Sequence, residues 1–130
     1  MNTSLDTQNL YDKFSGVIEL RSKDFNITDN KVTIINKEFK NKNGLINFYA
    51  PWCPHCKTMV EQWSDLAIQF KHKFAIGAVN CENKNNYKIR NKLRIVQYPT
   101  IKSVSKNGII SKYDGEYMKD DMIFYICNKL

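Results

Sequence analysis

The feature that most restricts the fold of this chain is the mostly apolar run GLINFYA, residues 44–50, which ends at Pro51. A run of this kind is typical of a strand that is buried on both faces. A helical pattern begins near Cys53, and its apolar residues recur three and four positions apart as far as Phe70. A buried strand that leads directly into a long helix predicts an α/β domain.

Further strands and helices alternate along the chain, whose 130 residues suit one compact domain. Strands are predicted at residues 16–20, 31–35, 74–80, 100–105 and 109–113, and helices at 84–93 and 118–129, with a short turn or helix at SKDF. Asn107-Gly108 predicts a tight hairpin between the last two strands. We expect a central mixed sheet with helices on both faces over residues 16–130, preceded by a loose polar leader, residues 1–15.

Two cysteines, Cys53 and Cys56, lie at the predicted start of the long helix. The unpaired N–H groups of a first helical turn and the helix dipole both favour a thiolate over a thiol at Cys53. His55 adds to this stabilisation if it is protonated or donates an N–H. Cys56 follows nearly one turn later and continues the apolar stripe, so the two sulfur atoms can reach each other. The pattern predicts that Cys53 attacks a substrate disulfide and that Cys56 resolves the mixed disulfide.

A metal site and a pair of structural thiols are the alternatives to a redox role for these two cysteines. A closed zinc site needs four ligands, and only His55, Cys81 and the distant His72 are left to complete one. We therefore expect no metal. Cys127 is expected to be a buried, inert thiol on the inner face of the last helix. Cys81 ends a strand and is a candidate for a second redox role.

The segment FYAPWCPHCK, residues 48–57, resembles the active-site segment of the thioredoxin superfamily. It is most similar to the catalytic domains of protein disulfide isomerases, whose usual form is FYAPWCGHCK. YPTIK (98–102) resembles the second signature of the superfamily. VIELRSKDF (17–25) and YDG (113–115) resemble the beginning and the end of isomerase domains. The likeness spans roughly residues 17–130.

The resemblance implies a thioredoxin-like fold and a thiol–disulfide oxidoreductase that works through a reversible Cys53–Cys56 disulfide. It makes Cys53 the nucleophile and Cys56 the resolving thiol, with Pro99 as a cis-proline packed against them and Tyr98 and Trp52 as substrate contacts. It also implies protein substrates with disulfides or dithiols, a redox partner, and no bound organic cofactor. The alternative is a substrate-binding or chaperone-like module whose cysteines barely turn over.

Five positions depart from the pattern of these relatives. Asn47 replaces a buried glutamate or aspartate that helps to move a proton to and from the resolving thiol, and Ala78 replaces the basic residue near that acid. Because an amide cannot titrate, we expect activation of the resolving thiol to be slowed or passed to water or another group. Pro54 replaces a glycine and favours a more oxidising dithiol. Tyr117 replaces an arginine that assists proton transfer, and Glu61 replaces a helix-kinking proline.

Charge and composition argue against several other classes of protein. The net charge is +7, and much of it lies in residues 84–94, but no nucleic-acid motif accompanies it. No apolar run approaches the ~18 residues of a membrane span, and the polar amino terminus has no signal-peptide core. The lack of a signal favours the cytoplasm, whereas the isomerase likeness favours the endoplasmic reticulum. We expect a cytoplasmic monomer that binds neither nucleic acid nor membrane. Abundant asparagine, lysine and isoleucine indicate an AT-rich genome; if the source is a large DNA virus, we expect the protein in virions.

Overall fold

Strands and helices lie close to their predicted positions in a computed structural model, which describes residues 7–130. The strands are β1 (Ile18–Leu20), β2 (Phe25–Ile27), β3 (Val32–Ile34), β4 (Gly44–Tyr49), β5 (Ala75–Asn80), β6 (Thr100–Val104) and β7 (Ile110–Lys112). The α-helices are α1 (Pro54–Gln69), α2 (Tyr87–Lys92) and α3 (Lys119–Lys129), and short 3-10 helices cover Ser22–Asp24, Lys37–Phe39 and Lys84–Asn86.

A mixed sheet with the strand order β1-β5-β4-β6-β7 forms the centre of the molecule. Strands β1, β5 and β4 are parallel, whereas β6 and β7 are antiparallel to their neighbours. All residues of β4 and β5 are buried. The prediction that GLINFYA forms a strand covered on both faces is therefore confirmed.

The two faces of this sheet are covered by different elements. One face packs against α1 and α3, whose core side chains are Met59, Trp63, Leu66, Met122 and Ile126. The other face packs against α2 and the small β2–β3 sheet through Phe25, Ile34, Phe39 and Ile89. The predicted architecture, a central mixed sheet flanked on both faces, is confirmed. Within the described residues, no helix is long and apolar enough to cross a bilayer.

The hairpin between β6 and β7 forms where the sequence predicts it. Gly108 adopts φ of +81°, a left-handed conformation that glycine takes without a steric penalty. The backbone N–H of Gly108 donates to the carbonyl of Ser105 at 2.8 Å and closes the turn. Lys102 then pairs with Lys112 in the antiparallel ladder.

The region that includes the predicted strand 31–35 differs from the expectation. Strand β2, which the sequence analysis missed, pairs with β3 to form a separate antiparallel two-stranded sheet. The backbone N–H of Thr28 donates to the carbonyl of Lys31 at 2.9 Å and closes the turn between them. The short 3-10 helix at Ser22–Asp24 ends where Phe25 begins β2, so the chain leaves the main sheet and packs its apolar residues against one face of it.

Part of the predicted leader is also packed against the domain. Residues 1–6 lie outside the described residues, but Tyr11 is only 3% exposed. The backbone N–H of Leu10 donates to the Tyr49 hydroxyl at 3.2 Å. The Asn80 side-chain amide donates to the carbonyl of Thr7 and to the side chain of Asn9, each at 2.8 Å. The described part of this segment, residues 7–15, is therefore held by hydrogen bonds to β4 and β5.

The prediction that Cys127 is buried is wrong, because its side chain is exposed. The apolar residues near the end of the chain form a broad stripe, and α3 turns only its centre towards the sheet. Met122 and Ile126 are buried, since they lie four residues apart on one face of the helix. Cys127 is the next residue along and is rotated by about 100° away from that face.

Candidate active site

The first cysteine occupies the cap position at the start of α1. Cys53 has an extended backbone and precedes Pro54, the first helical residue, whose fixed φ suits that position. The backbone N–H of Cys53 donates to the carbonyl of Ala50 at 3.0 Å, and its carbonyl accepts from the N–H of Lys57 at 3.1 Å. The side chain is half-buried. The sulfur atom is thus fixed at the leading end of a helix and open to solvent on one side.

The loop before β6 lies directly against this sulfur atom. The Cys53 thiol donates to the Tyr98 carbonyl oxygen, with an Sγ–O distance of 3.6 Å. The peptide bond between Tyr98 and Pro99 is cis, and Pro99 is buried. Two segments that are 45 residues apart in the sequence therefore meet at one sulfur atom.

The second cysteine has very different surroundings. Cys56 is fully buried in the cluster that α1 forms with the sheet. Burial raises the pKa of its thiol to about 12, a backbone hydrogen bond at Ala50 opposes part of this rise, and the neighbouring Cys53 side chain adds to it. Cys56 is therefore a neutral thiol at physiological pH, and it attacks another sulfur atom only after losing a proton.

An aromatic surface borders the outer side of the pair. Trp52 is 46% exposed, and its indole N–H donates to the carboxylate of Glu82. Its ring meets the Tyr98 ring edge to face, with 6.1 Å between the ring centroids. Pro54 and His55 are exposed at the first turn of α1. The residues that the sequence assigns to one site lie together here: Trp52, Cys53, Pro54, His55, Cys56, Tyr98 and Pro99.

On the inner side, Asn47 lies in the middle of β4 and is fully buried. Its Nδ2 donates to the Tyr11 hydroxyl oxygen at 3.2 Å. Its Oδ1 is, among the described residues, the one buried side-chain oxygen or nitrogen without a hydrogen-bond partner. Ala78 on β5 faces Asn47 directly in the parallel ladder. Asn47 and Ala78, two of the five positions that depart from the resembled pattern, are therefore adjacent and uncharged.

Three residues of this inner region were not identified from the sequence. Tyr11 comes from the predicted leader, Tyr49 was counted only as part of the strand, and Glu19 belongs to β1. The Tyr49 hydroxyl donates to Glu19 Oε1 at 2.8 Å, and the Tyr11 and Tyr49 rings meet edge to face at 5.4 Å. Burial raises the pKa of Glu19 from 4.5 to about 7, while Tyr49 and Arg21 limit the rise. The adjacent Leu10 and Tyr11 in a mostly polar leader were the available signal.

The other positions that the sequence singled out lie around this site. The Tyr117 hydroxyl accepts a hydrogen bond from the backbone N–H of Ile101 at 3.0 Å, and Ile101 lies two residues after Pro99 in the sequence. Cys81 is buried, and burial raises the pKa of its thiol to about 12. Its Sγ lies 3.8 Å from the carbonyl oxygen of Val79. Glu61 is exposed on α1.

No cluster of three or more metal-ligating side chains occurs within residues 7–130. His55 is at the surface, whereas Cys81 is buried at the end of β5. The expectation that the site binds no metal stays a prediction, which metal analysis of the purified protein would test.

Comparison with known proteins gives one family model, Thioredoxin, which matches residues 17–128. Protein disulfide-isomerase 1 of Dictyostelium discoideum is 32% identical over 103 residues, which are 77% of this chain and 28% of that protein. Protein disulfide-isomerase A5 of Bos taurus is 35% identical over 77 residues, or 58% of this chain and 15% of that protein. The chain therefore spans less than a third of the length of these relatives.

Solved structures show the same fold. The first thioredoxin domain of mouse Protein disulfide-isomerase A4 matches with a TM-score of 0.66 and 24% identity, covering 87% of this chain and 74% of that chain. Thioredoxin f from spinach chloroplast matches with a TM-score of 0.63 and 22% identity, covering 85% of this chain and 90% of that chain. The thioredoxin-like fold predicted from the sequence is confirmed.

Proposed function

This chain belongs to the thioredoxin family, and we propose that it is a thiol–disulfide oxidoreductase that acts on protein substrates through a reversible Cys53–Cys56 disulfide. The observation that carries the proposal is the position of the two sulfur atoms. Cys53 is half-buried at the leading end of α1, and Cys56 is buried directly behind it within the same helical turn. A substrate can therefore reach Cys53, whereas Cys56 reacts only with Cys53.

The reaction in the reducing direction has two steps. The Cys53 thiolate attacks one sulfur atom of a substrate disulfide, forms a mixed disulfide, and releases the other substrate sulfur as a thiolate that takes a proton from solvent. Cys56, after losing its proton, attacks Cys53 Sγ; the Cys53–substrate bond breaks, and the second substrate sulfur leaves with the electron pair. The substrate disulfide has gained two electrons, and the two cysteines have lost them. The reverse sequence delivers a disulfide to a substrate dithiol.

The surface around Cys53 suits an extended polypeptide. Trp52 and Tyr98 present aromatic faces beside the sulfur atom, and the backbone of Tyr98 already accepts a hydrogen bond from the Cys53 thiol. A substrate chain that lies along residues 98–99 places its sulfur atom against Cys53. We propose this surface, with Trp52, Tyr98 and Pro99, as the substrate contact.

Its partners are proposed on the same basis. Substrates are proteins with accessible disulfides or dithiols, and a second redox protein returns the dithiol to its starting state. No bound organic cofactor is required, because the electrons travel between sulfur atoms. The cytoplasmic location, the monomeric state, the viral source and packaging in virions stay predictions of the sequence.

Redox titration against glutathione tests the proposal and its direction together. We expect reversible closure of one disulfide between Cys53 and Cys56, with a potential above the ~ −270 mV of a reducing thioredoxin, because Pro54 stands between the cysteines. A potential as low as that of thioredoxin would contradict the oxidising role of Pro54 while leaving the dithiol chemistry intact. If the two cysteines never form a disulfide, the enzyme proposed here does not exist.

A second candidate function is a substrate-binding module with little turnover. It is favoured by Asn47 and Ala78, which leave the interior behind Cys56 without the charges that relatives use. Insulin reduction by the wild type and by Cys53→Ser separates the two candidates. A faster wild type supports the oxidoreductase, and equal rates leave only the binding module. The Cys127→Ser variant is the matched control, because it removes an exposed thiol on the last helix.

A further inference from the structure

Cys56 requires a proton acceptor in the interior of the protein. Its thiol is fully buried, and its pKa of about 12 means that very little thiolate exists at neutral pH. The second step of the proposed reaction needs that thiolate, because the thiol itself is a poor nucleophile. A nearby group that exchanges protons near neutral pH therefore determines how fast the dithiol closes.

The residues that lie nearest in the sheet cannot take this proton. Asn47 has no titratable proton, and Ala78 has no polar side chain. Tyr11 and Tyr49 lie in the same buried cluster as Cys56, but burial raises the pKa of each well above its ordinary value. Both tyrosines therefore keep their protons and act as hydrogen-bonding groups.

Glu19 is a carboxyl group on the same face of the sheet. The register aligns Glu19 of β1 with Ala78 of β5, and Ala78 with Asn47 of β4, so the three form one row across the strands. Because Ala78 is small, Tyr49 extends across β5 and donates its hydroxyl to Glu19 Oε1 at 2.8 Å. Among the described residues, Glu19 is the only carboxylate hydrogen-bonded to a side chain of the cluster that contains Cys56.

Tyr11 belongs to the same buried cluster as Cys56. Its hydroxyl oxygen accepts from Asn47 Nδ2 at 3.2 Å, which leaves its own O–H free to be donated. A negative charge on Cys56 raises the pKa of Tyr11, and so does a negative charge on Glu19. The Tyr11 hydroxyl is therefore near enough to both groups to respond to their charge. Tyr11 and Glu19 also line one surface pocket of about 620 Å³. Most of the residues that line this pocket are polar, and it has room for water molecules, each of which takes about 30 Å³.

We propose that Glu19 accepts the proton that Cys56 loses before it attacks Cys53, with the Tyr11 hydroxyl and pocket water joining the two. The inference rests on the thiol–disulfide function proposed above. In the step, the Cys56 S–H bond breaks, its proton moves along the hydroxyl and water path, and Glu19 becomes a neutral carboxylic acid. The Cys56 thiolate then forms the bond to Cys53 Sγ, and the departing sulfur takes the electron pair. Glu19 returns its proton to solvent through the pocket.

Several groups around Glu19 set the pH at which it can accept a proton. Burial raises its pKa to about 7, so it is partly ionised at neutral pH. The hydrogen bond from the Tyr49 hydroxyl and the positive charge of Arg21 both lower the pKa of Glu19, which burial alone would raise further. Tyr11, Asp12 and Lys13 face it from the amino-terminal segment, and the buried Cys81 thiol lies within electrostatic reach at the end of β5. Glu19 acts on Cys56 through Tyr11 and water and not by direct contact.

The experiment separates the two thiol steps with the symmetrical disulfide of thionitrobenzoate. Attack by Cys53 releases one coloured thiolate, and attack by Cys56 on the resulting mixed disulfide releases the second. Stopped-flow absorbance with one equivalent of reagent follows both phases between pH 5 and 9 in the Cys127→Ser background, which removes the exposed thiol. We expect the wild-type second phase to rise tenfold per pH unit below about pH 7 and to level off above it, where Glu19 is ionised.

Glu19→Gln keeps the size of the side chain and its acceptor for Tyr49 but cannot take a proton. We expect the plateau to disappear, and the second phase at pH 7 to slow by about tenfold or more, as for a lost general base. Tyr49→Phe should move the start of the plateau to higher pH, because the carboxylate loses a stabilising hydrogen bond. Tyr11→Phe should slow the second phase but leave a plateau, because Glu19 can still accept a proton. The first phase should stay unchanged in all three.

Glu38→Gln, which makes the same chemical change on an exposed carboxylate, is the control and should leave both phases unchanged. A plateau that survives in Glu19→Gln overturns the role of Glu19 while the dithiol function stands. If Glu19→Gln does not fold, an unmoved plateau in Tyr49→Phe overturns it instead. A wild type that releases only the first thiolate contradicts the proposed function itself.

Discussion

The two sulfur atoms of the site are close together, but their surroundings are opposites. Cys53 is half-buried beside an exposed aromatic ring, an exposed imidazole and a backbone carbonyl. Cys56 is fully buried against the sheet, with Asn47, Tyr11 and Tyr49 in the cluster behind it. The outer region is built from residues within a few positions of the cysteines and from the 98–99 loop. The inner region gathers side chains from β1, β4 and the amino-terminal segment.

This difference shows which part of the site follows the family pattern. Of the outer residues, only Pro54 departs from the isomerase pattern that the sequence resembles, and the residues around the two cysteines are continuous in the sequence. The inner region has two departures from the resembled pattern, the uncharged Asn47 and Ala78, and the amino-terminal segment places Tyr11 beside Asn47. We therefore expect changes in the outer region to act on substrate attack, and changes in the inner region to act on closure of the disulfide and on stability.

The largest effect is expected for Cys56→Ser. Because the first attack uses only Cys53, this variant should form mixed disulfides with substrates and keep them, while turnover in insulin reduction falls to background. Mass spectrometry of the trapped adduct measures the effect. The distinction between an attacking and a resolving thiol is wrong if Cys56→Ser turns over at the wild-type rate.

The two tryptophans sharpen the comparison between surface and interior. Trp63 is fully buried, and its indole N–H donates to the carbonyl of Gly77 at 3.1 Å. We expect Trp63→Ala to lower the free energy of unfolding by about 3–5 kcal/mol. Trp52→Ala, at the surface beside Cys53, should lower it by less than about 0.5 kcal/mol but slow the reduction of insulin.

Urea denaturation of both tryptophan variants, followed by circular dichroism, provides the measurement. Equal losses of stability would show that Trp52 supports the fold in the same way as Trp63. A Trp52→Ala variant that reduces insulin at the wild-type rate would remove the proposed substrate contact.

The pH dependence of stability tests the inner region. Glu19 holds a proton more tightly in the folded protein, where its pKa is about 7, than in the unfolded chain, where the ordinary value of 4.5 applies. Between these values the folded state binds more protons, so the free energy of unfolding falls as the pH rises. The stability that comes from the tighter proton binding of Glu19 is fully present below about pH 4.5 and lost by about pH 8. The free energy of unfolding falls by about 1–3 kcal/mol over this range, after allowance for the partial exposure of Glu19.

Glu19→Gln is the matched variant for this measurement, because its side chain stays neutral. Urea denaturation at pH values between 5 and 8 should give a flatter curve for the variant than for the wild type. Two curves of the same slope would mean that Glu19 titrates normally and that burial does not act on it.

The smallest effect is expected for Asn47→Asp, which places a carboxyl group closer to Cys56. We expect a several-fold faster release of the second thiolate at pH 7 and a changed pH profile, because the new acid supplies a shorter proton path. Glu19→Gln should then slow the release of the second thiolate by a smaller factor in Asn47→Asp than in the wild type, since two acids that accept the same proton are not independent. Identical pH profiles for the wild type and Asn47→Asp would refute the idea that Asn47 limits the activation of Cys56.

Local patterns in the sequence were enough to predict the elements that carry the outer region. The helix begins at Pro54, directly after Cys53, because an apolar stripe and a proline at the first position both favour a start there. Gly108 closes the predicted hairpin through a hydrogen bond to Ser105, three residues earlier in the chain. Strand β4 is buried throughout, as its apolar run indicates.

Contacts between distant segments decided the rest. Tyr11 belongs to no periodic pattern in the sequence, yet it contacts Asn47, 36 residues further along the chain. Cys127 belongs to an apolar stripe that is broader than the contact between α3 and the sheet, so its exposure depends on the rotation of the helix. Strand β2 is three residues long and exists because β3 pairs with it.

The sequence by itself determined the α/β layers and the cysteine pair at the head of a helix, because hydrophobic periodicity and capping act between residues that are close in the chain. Only the tertiary structure decided that Glu19, Tyr11 and Tyr49 gather behind Cys56. That grouping depends on the register of three strands and on the small side chain of Ala78 between two of them. The same burial that stabilises the fold gives Glu19 a pKa of about 7, and no local pattern reports how deeply a side chain will be buried.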